Sequence, residues 1–524
     1  MGTLSDLPVD VVTCFLRIAM DGVSRSLSDW KDALPLISVC HTWRVAGLRS
    51  IYQCAFIDVR QVYFQSPRPR EEVMVGGQFG IEVLTNIPLV MEVRAQELVR
   101  HLGLYRFDLD QGPMLLMKIV EALSITMSEC AEIQSLRVWL TMYAHGRDIH
   151  QDVVVRCREA AVQIAAAVFR RLPRVAAVSA DMYYSGTLKL ELMRALIGCY
   201  SGQLTNLDCR CPAYFDEDKE IVGLVDLHMQ LRPVTRYHAE LPLVNPARLR
   251  RVRLVLSNIE FGWDMFCSDG EQRVRVEFNR LEQLYLEVDG RMYGAEEGPV
   301  VPRDFNYGGW ELAFPRLTDL TVRNLVISPA DAEGLFVGAP RLRRLHYRGP
   351  VGSALLLCKQ DGVGRLEELV LDLEPDGVPE PVDGVNAIFR RTHGIGIVRG
   401  IICWPQQVTI NTRAIDWPYL THLSISAKIR LDELLVAMQA MPNLVELEAD
   451  ICVSSQQQHT EAAVGCLVGR LKDMRQGLSC CKLEKLVLRY DARASEPLND
   501  AIRSLALYMP QLRTINVPRV RRTQ

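Results

Sequence analysis

Gly394-Ile395-Gly396-Ile397-Val398-Arg399-Gly400 is the stretch of this chain nearest to a phosphate-cradling loop. Such a loop works because its glycines let backbone N–H groups approach a pyrophosphate where a helix begins. Here the third glycine comes one residue late and no strand–turn–helix pattern surrounds it, so dinucleotide binding is not expected. The sequence contains no GxxxxGK(S/T), HExxH or GxSxG, so the usual phosphate, zinc-protease and nucleophile-elbow chemistries lack their spacing. Of fifteen cysteines, Cys209 and Cys211 are two apart and Cys480 and Cys481 are adjacent, whereas a zinc site wants CxxC-type pairs with ordered histidines. Most cysteines sit among apolar neighbours, as small core hydrophobes do. The ten histidines are dispersed, and Asp216-Glu217-Asp218 and Glu296-Glu297 read as solvated loops. These residue types point away from an enzyme, a metal or a cofactor and toward a chain that binds other proteins.

The elements that would present such a surface follow from composition and period. With 524 residues the chain is too long for one ordinary core, and 48% hydrophobic with 23% charged residues is the balance of a folded protein. A formal charge of -3 lacks the basic excess of a nucleic-acid binder, and Arg519, Arg521 and Arg522 form only a small solvated tail. No apolar run reaches the roughly 20 residues a bilayer span needs. The Ala-rich stretch from Glu159 to Leu172 comes nearest, but it starts on a carboxylate and ends in Arg170-Arg171, so it reads as a core helix. Scattered cysteines and no signal peptide favour a reducing cytoplasmic or nuclear location.

From about residue 130 a strand signature recurs: often Pro, one residue, then L-x-x-L-x-apolar. It appears at 315–322 (PRLTDLTV), 340–347, 364–371, 418–425, 442–449, 481–488 and 510–517, with weaker versions at 132–139, 173–180, 202–209, 247–254 and 279–286. Between them lie helical patterns such as Leu431, Leu434, Leu435 and Met438. The spacing is 25 from Leu317 to Leu342 and 24 from both Leu342 to Leu366 and Leu420 to Leu444. The interval of 54 from Leu366 to Leu420 leaves room for a further strand, expected around Val408-Thr409-Ile410. A repeated helix–turn–strand unit stacks parallel strands on one side and helices on the other. Turn-rich insertions interrupt it near 290–309 and 375–384. In this register the outward strand residues alternate in sign. Tyr285, Arg323, Arg344, His346, Arg348, His422, Glu446 and Glu448 are the candidate contacts for an unknown client protein, flanked by Arg253, Glu287 and Asp450. A mixed face suits patterned charge on a protein partner rather than a nucleic-acid track.

The first fifty-odd residues carry a different signal. Ser5 or Asp6 can cap a helix with Pro8 in its first turn, and Val11, Val12, Phe15, Leu16 and Ala19 follow at helical spacing. A second helix crowds Trp30, Leu34, Ile37 and Cys40 around Trp43, and a third short segment holds Leu48, Ile51 and Tyr52. Three short helices cannot bury these side chains among themselves, and each large one left exposed forgoes about 1.5–3 kcal/mol. Their surplus faces either a partner or, as a cap, the end of the array.

With its Leu7-Pro8 start and its Leu36-x-x-Val39-Cys40-x-x-Trp43 helix, the segment from 4 to 58 resembles an F-box, and the repeats behind it resemble irregular leucine-rich repeats. The resemblance implies a three-helix module over 1–58, a helical transition region over 59–130 and a leucine-rich α/β solenoid over 131–524. It implies that Leu7, Pro8, Val11, Val12, Leu16, Leu36, Ile37, Val39, Cys40 and Trp43 dock on a Skp-type adaptor and, through it, a cullin scaffold. The chain would then be the substrate-recognition subunit of a ubiquitin ligase, without catalysis of its own. The alternative is a repeat scaffold outside any ligase. The asparagine or cysteine that such repeats place beyond the last apolar position is mostly missing: Cys452 fits, Lys428 and Ser257 do not. Longer, uneven turns are expected in consequence.

Overall fold

The computed structural model describes residues 54–63, 79–85, 90, 96–105, 132–139, 151–181, 187–210, 220–231, 244–256, 266, 275–288, 303–304, 311–374, 395–402, 417–430, 434, 436–438, 440–452, 482–489 and 511–516. They form an α/β structure built on extensive parallel strand pairing. The chain divides into two compact units, Met1–Leu249 with Phe261–Asp269, and Arg250–Glu260 with Gly270–Gln524.

In the first unit, β1 (Cys54–Tyr63) pairs antiparallel with β2 (Phe79–Thr85) and parallel with β3 (His101–Tyr105). Parallel pairing then continues in chain order through β4 (Ser135–Trp139), β5 (Ala177–Asp181), β6 (Asn206–Arg210) and β7 (Asp226–Leu231). The sheet thus begins well before residue 131, inside the 59–130 stretch that the sequence reads as helical. The reason is local: Phe56, Ile57, Val59, Val62 and Tyr63 are strand formers, and Val99-x-x-Leu102-x-Leu104 repeats the buried strand signature. Residues 54–58, assigned to the helical module by the sequence, belong to β1.

Two helices cross between strands of this unit. α1 (Gln151–Arg171) spans the Ala-rich stretch and carries Ala161, Ile164, Ala165 and Val168 on one buried face. α2 (Thr187–Tyr200) answers with Leu192, Met193, Leu196, Ile197 and Tyr200. Arg158 clamps the buried Glu191 with Nε and a terminal nitrogen at 3.0 and 3.2 Å. The Tyr200 hydroxyl donates to the Leu172 carbonyl at 3.0 Å, and burial pushes this phenol well above its ordinary pKa.

In the second unit the parallel ladder runs β8 (Arg251–Leu256), β10 (Gln283–Val288), β13 (Asp319–Arg323), β15 (Arg344–Pro350), β16 (Glu368–Glu374), β17 (Ile397–Ile402), β18 (His422–Arg430), β19 (Glu446–Cys452), β20 (Lys485–Arg489) and β21 (Thr514–Asn516). Short side pairings join β9 (Arg275–Glu277) to β12 (Glu311–Ala313) and β11 (Arg303–Asp304) to β14 (Leu325–Val326). The extra strand between β16 and β18 lies at Ile397–Ile402, earlier than the sequence placed it, and Val408-Thr409-Ile410 lies outside the described residues. Gly396 and Gly400 are therefore strand-entry and strand residues, and the Gly396 carbonyl accepts from the Thr421 N–H at 2.7 Å.

Two described helices of this unit differ in how they begin. Ser328 caps α3 (Pro329–Gly338): its side chain accepts from the Asp331 N–H, and Asp331 accepts in return from the Ser328 N–H, with Pro329 at the first position. α4 (Val351–Cys358) follows β15 directly and buries Val351, Ala354, Leu357 and Cys358.

All but one step of the ladder is pinned in the same way: a carbonyl at the turn before the strand accepts two successive N–H groups from the next repeat, whereas from β16 to β17 Glu367 O takes Ile397 N alone, at 3.0 Å. Arg250 O takes Glu282 N (2.8 Å) and Gln283 N (3.1 Å), Thr318 O takes Arg343 N (3.0 Å) and Arg344 N (2.9 Å), and Thr421 O takes Val445 N (2.7 Å) and Glu446 N (3.0 Å). Between these anchors Leu284, Leu320, Leu345, Leu369, Val398, Leu423, Leu447 and Leu486 form one continuous buried row, each apposed to the next in register.

Asn324 departs from this regularity. It follows β13 with φ 57, a left-handed conformation, and is buried. Its Nδ2 donates to the Val288 carbonyl at 3.1 Å, and its own N–H donates to Arg348 O at 2.7 Å. Asn324 stands two residues past Val322, the last apolar position of its repeat, and there satisfies a backbone carbonyl of the neighbouring repeat. Asn324→Ala loses the bond and strains the backbone, costing about 1–3 kcal/mol in all, whereas Asn324→Gly loses the bond but keeps the conformation. Urea unfolding midpoints are expected in the order wild type, glycine, alanine.

Candidate functional site

The period-two alternation of the second unit's strands sets three outward rows. The first runs Arg251, Gln283, Asp319, Arg344, Glu368, Ile397, His422, Glu446, Lys485 and Thr514. The second includes Arg253, Tyr285, Thr321, His346, Val370, Ser424, Glu448 and Val487 on strands from β8 to β20. The third includes Glu287, Arg323, Arg348 and Asp372 on β10 to β16, and Asp450 and Arg489 on β19 and β20.

The eight candidate contacts fall into two groups on this face. Tyr285, Arg323, Arg344, His346 and Arg348 come together on β10, β13 and β15. His422, Glu446 and Glu448 lie on β18 and β19. Three strand spacings separate β15 from β18, about 14 Å. The ten adaptor candidates, Leu7, Pro8, Val11, Val12, Leu16, Leu36, Ile37, Val39, Cys40 and Trp43, lie outside the described residues.

Most charges on the face are answered by a neighbouring strand. Arg344 pairs with Asp319, and Arg348 meets Asp372 at 3.5 Å. Lys485 meets Glu446 at 3.3 Å, and Arg489 bridges Glu448 and Asp450. Arg253 and Arg323 behave differently: both lie over the Tyr285 ring, at 4.4 and 5.5 Å from its centroid, one from each flanking strand. In register Glu287 stands opposite Arg323, yet it accepts the Tyr285 hydroxyl. Arg323 keeps a buried Nε with no hydrogen-bond partner among the described residues. Burial, then the hydrogen bond to Glu287, push the Tyr285 phenol up to about 12, so it remains a proton donor at neutral pH. Burial, then the Arg323 charge, pull the His346 imidazole below its ordinary value, while Asp372 and Glu368 oppose the shift. Arg253 was read from the sequence only as an outward residue. Its ring contact with Tyr285 depends on the β8–β10 register, which no local motif announces.

A second constellation, in the first unit, has the composition of a nucleophile–acid–base set. Ser179, Asp208 and His228 stand side by side on β5, β6 and β7. The Ser179 hydroxyl reaches Asp208 Oδ2 at 3.5 Å, and His228 Nδ1 lies 2.8 Å from Asp208 Oδ1. Acyl transfer needs the imidazole between hydroxyl and carboxylate. Here the carboxylate is in the middle, and two strand spacings, about 10 Å, separate the base from the hydroxyl. The row therefore lacks the order that acyl transfer needs.

Among the described residues no three or more His, Cys, Asp or Glu side chains are grouped to hold a metal ion, and no helix is long and apolar enough to cross a membrane. Cys209 and Cys358 are buried. Comparison with protein-family models and with curated protein sequences finds no match.

His346 gives the face a measurable pH signature. Its folded-state value lies below the ordinary 6.5, so the unfolded chain binds the extra proton and folding stability falls as pH drops below 6.5. The drop in urea midpoint between about pH 7.5 and about pH 5.5 is expected to be smaller in His346→Gln than in wild type.

Proposed function

We propose that this chain is the substrate-recognition subunit of a cullin-type ubiquitin ligase. Residues 1–53 would contain the F-box that docks on a Skp-type adaptor, and an irregular leucine-rich-repeat solenoid would hold the client. The observation that carries the client half is the in-register parallel ladder from β8 to β21. It fixes a broad face of half-exposed polar residues above a continuous buried apolar row, as a repeat array built for protein binding does. The adaptor half rests on the Leu7-Pro8 start and the Leu36-x-x-Val39-Cys40-x-x-Trp43 helix. In this role the chain performs no chemistry. It raises the effective concentration of a client lysine near a ubiquitin-loaded enzyme.

Co-purification with the Skp-type adaptor tests the proposal. Wild type is expected to retain the adaptor, and the double variant Pro8→Ala, Trp43→Ala to lose about tenfold or more while keeping its thermal transition. Removing 1–53 leaves β1 intact, so adaptor binding that survives this deletion overturns the proposal. A deletion variant that loses the adaptor but still captures the client locates the two tasks in separate parts.

A further inference from the structure

The distribution of paired and unpaired charge on the second unit's face narrows what the client must offer. Four outward cations, Arg344, Arg348, Lys485 and Arg489, each have a carboxylate on a neighbouring strand. Arg253 and Arg323 have no ion pair with any described residue and share one aromatic ring instead. The carboxylate opposite Arg323 in register, Glu287, accepts the Tyr285 hydroxyl. Arg323 Nε is buried with no acceptor. A guanidinium left with an unused donor is costly unless an acceptor arrives, and a planar two-oxygen acceptor matches its fork.

We propose that Arg253, Tyr285 and Arg323 form an anchor for the side-chain carboxylates of an acidic, extended segment of the client. This rests on the reading of the face as the client-binding surface and names the chemistry it selects. Charge complementarity chooses the occupant. Two guanidiniums offset by Glu287 leave a single positive excess, which suits carboxylates better than a dianionic phosphoryl group. Arg253 and Arg323 stand on strands two spacings apart, about 10 Å, and acidic residues two or three apart in an extended segment span about 7–10 Å. Thr321 and His346 continue the row of Arg253 and Tyr285.

The test uses the full chain and three fluorescent peptides of about ten residues: alternating Glu-Ser, its Gln-Ser counterpart, and a phosphoserine–glycine version. Anisotropy is expected to show binding of the glutamate peptide that weakens with salt, and little binding of the glutamine peptide. Arg253→Gln and Arg323→Gln should each weaken it about tenfold or more, as should Arg323→Lys, which keeps the charge but loses the fork. Arg489→Gln, on the same face at β20, should leave it within about twofold, and thermal transitions confirm that the variants fold. Equal binding of the glutamate and glutamine peptides, or equal loss in the Arg489 variant, overturns the proposal. So does tighter binding of the phosphoserine peptide or of a single-stranded oligonucleotide, because either assigns the cluster to another ligand. The assay needs no adaptor, so loss of peptide binding in a chain that still retains the adaptor sinks the anchor without touching the ligase assignment.

Discussion

A parallel strand cannot satisfy its own backbone. Each strand of the second unit presents a row of N–H and C=O groups to the strand before it and another to the strand after. The structure meets this demand with a single repeated device, the turn carbonyl that accepts two N–H groups from the following repeat. Arg250, Thr318 and Thr421 show it across the ladder, and Arg100, Gln134 and Ala176 show it in the first unit, where Gln134 O takes Ala176 N at 2.8 Å and Ala177 N at 3.0 Å. Once that carbonyl is placed, the register of the next strand is fixed to the residue, because a slip by one would turn its leucines outward. Burial of the leucine row and fidelity of the backbone pairing are thus one constraint seen from two sides.

The same constraint dictates the outward face. With register fixed, each outward residue has a defined neighbour on either side, and its charge must be reconciled with theirs. Asp319 beside Arg344, Arg348 beside Asp372 and Glu446 beside Lys485 are solutions of this kind. Exposed pairs contribute little to stability, about 0–1 kcal/mol each. Their consequence is the removal of charge that a partner could otherwise read. On the described face this pairing fails around Tyr285.

Much of this was legible in the sequence, and the reasons are physical. The L-x-x-L-x-apolar signature located β4, β5, β6, β8, β10, β13, β15, β16, β18, β19, β20 and β21, because a strand buried on one face needs its apolar residues at fixed alternate positions. The signature was also present at Val99, Leu102 and Leu104, upstream of the first repeat read from the sequence, and at Leu224, Leu227 and Met229; all six residues are buried. β17 escaped because Gly396 and Gly400 dilute its apolar pattern and resemble a ligand loop. The outward orientation of Tyr285, Arg323 and His346 followed from period alone. Their chemistry did not: that Glu287 turns to Tyr285 rather than to Arg323, and that Arg253 joins the same ring, are facts of cross-strand geometry that one strand's sequence does not contain.

That geometry also explains why the arginine–tyrosine cluster persists in the free protein. Two like charges beside one ring repel, and flexible side chains on a loop would swing apart into water. Here the Cα positions are held by ladder hydrogen bonds on three consecutive strands, and the ring is tied down by its bond to Glu287. The quadrupole of the ring offsets part of the repulsion, and more strongly where water is partly excluded. What remains is an unspent attraction for an anion, held in position before any partner arrives. Pre-organisation of this sort reduces the ordering cost of association, so a short acidic segment gains more from this cluster than from the same residues on a mobile surface.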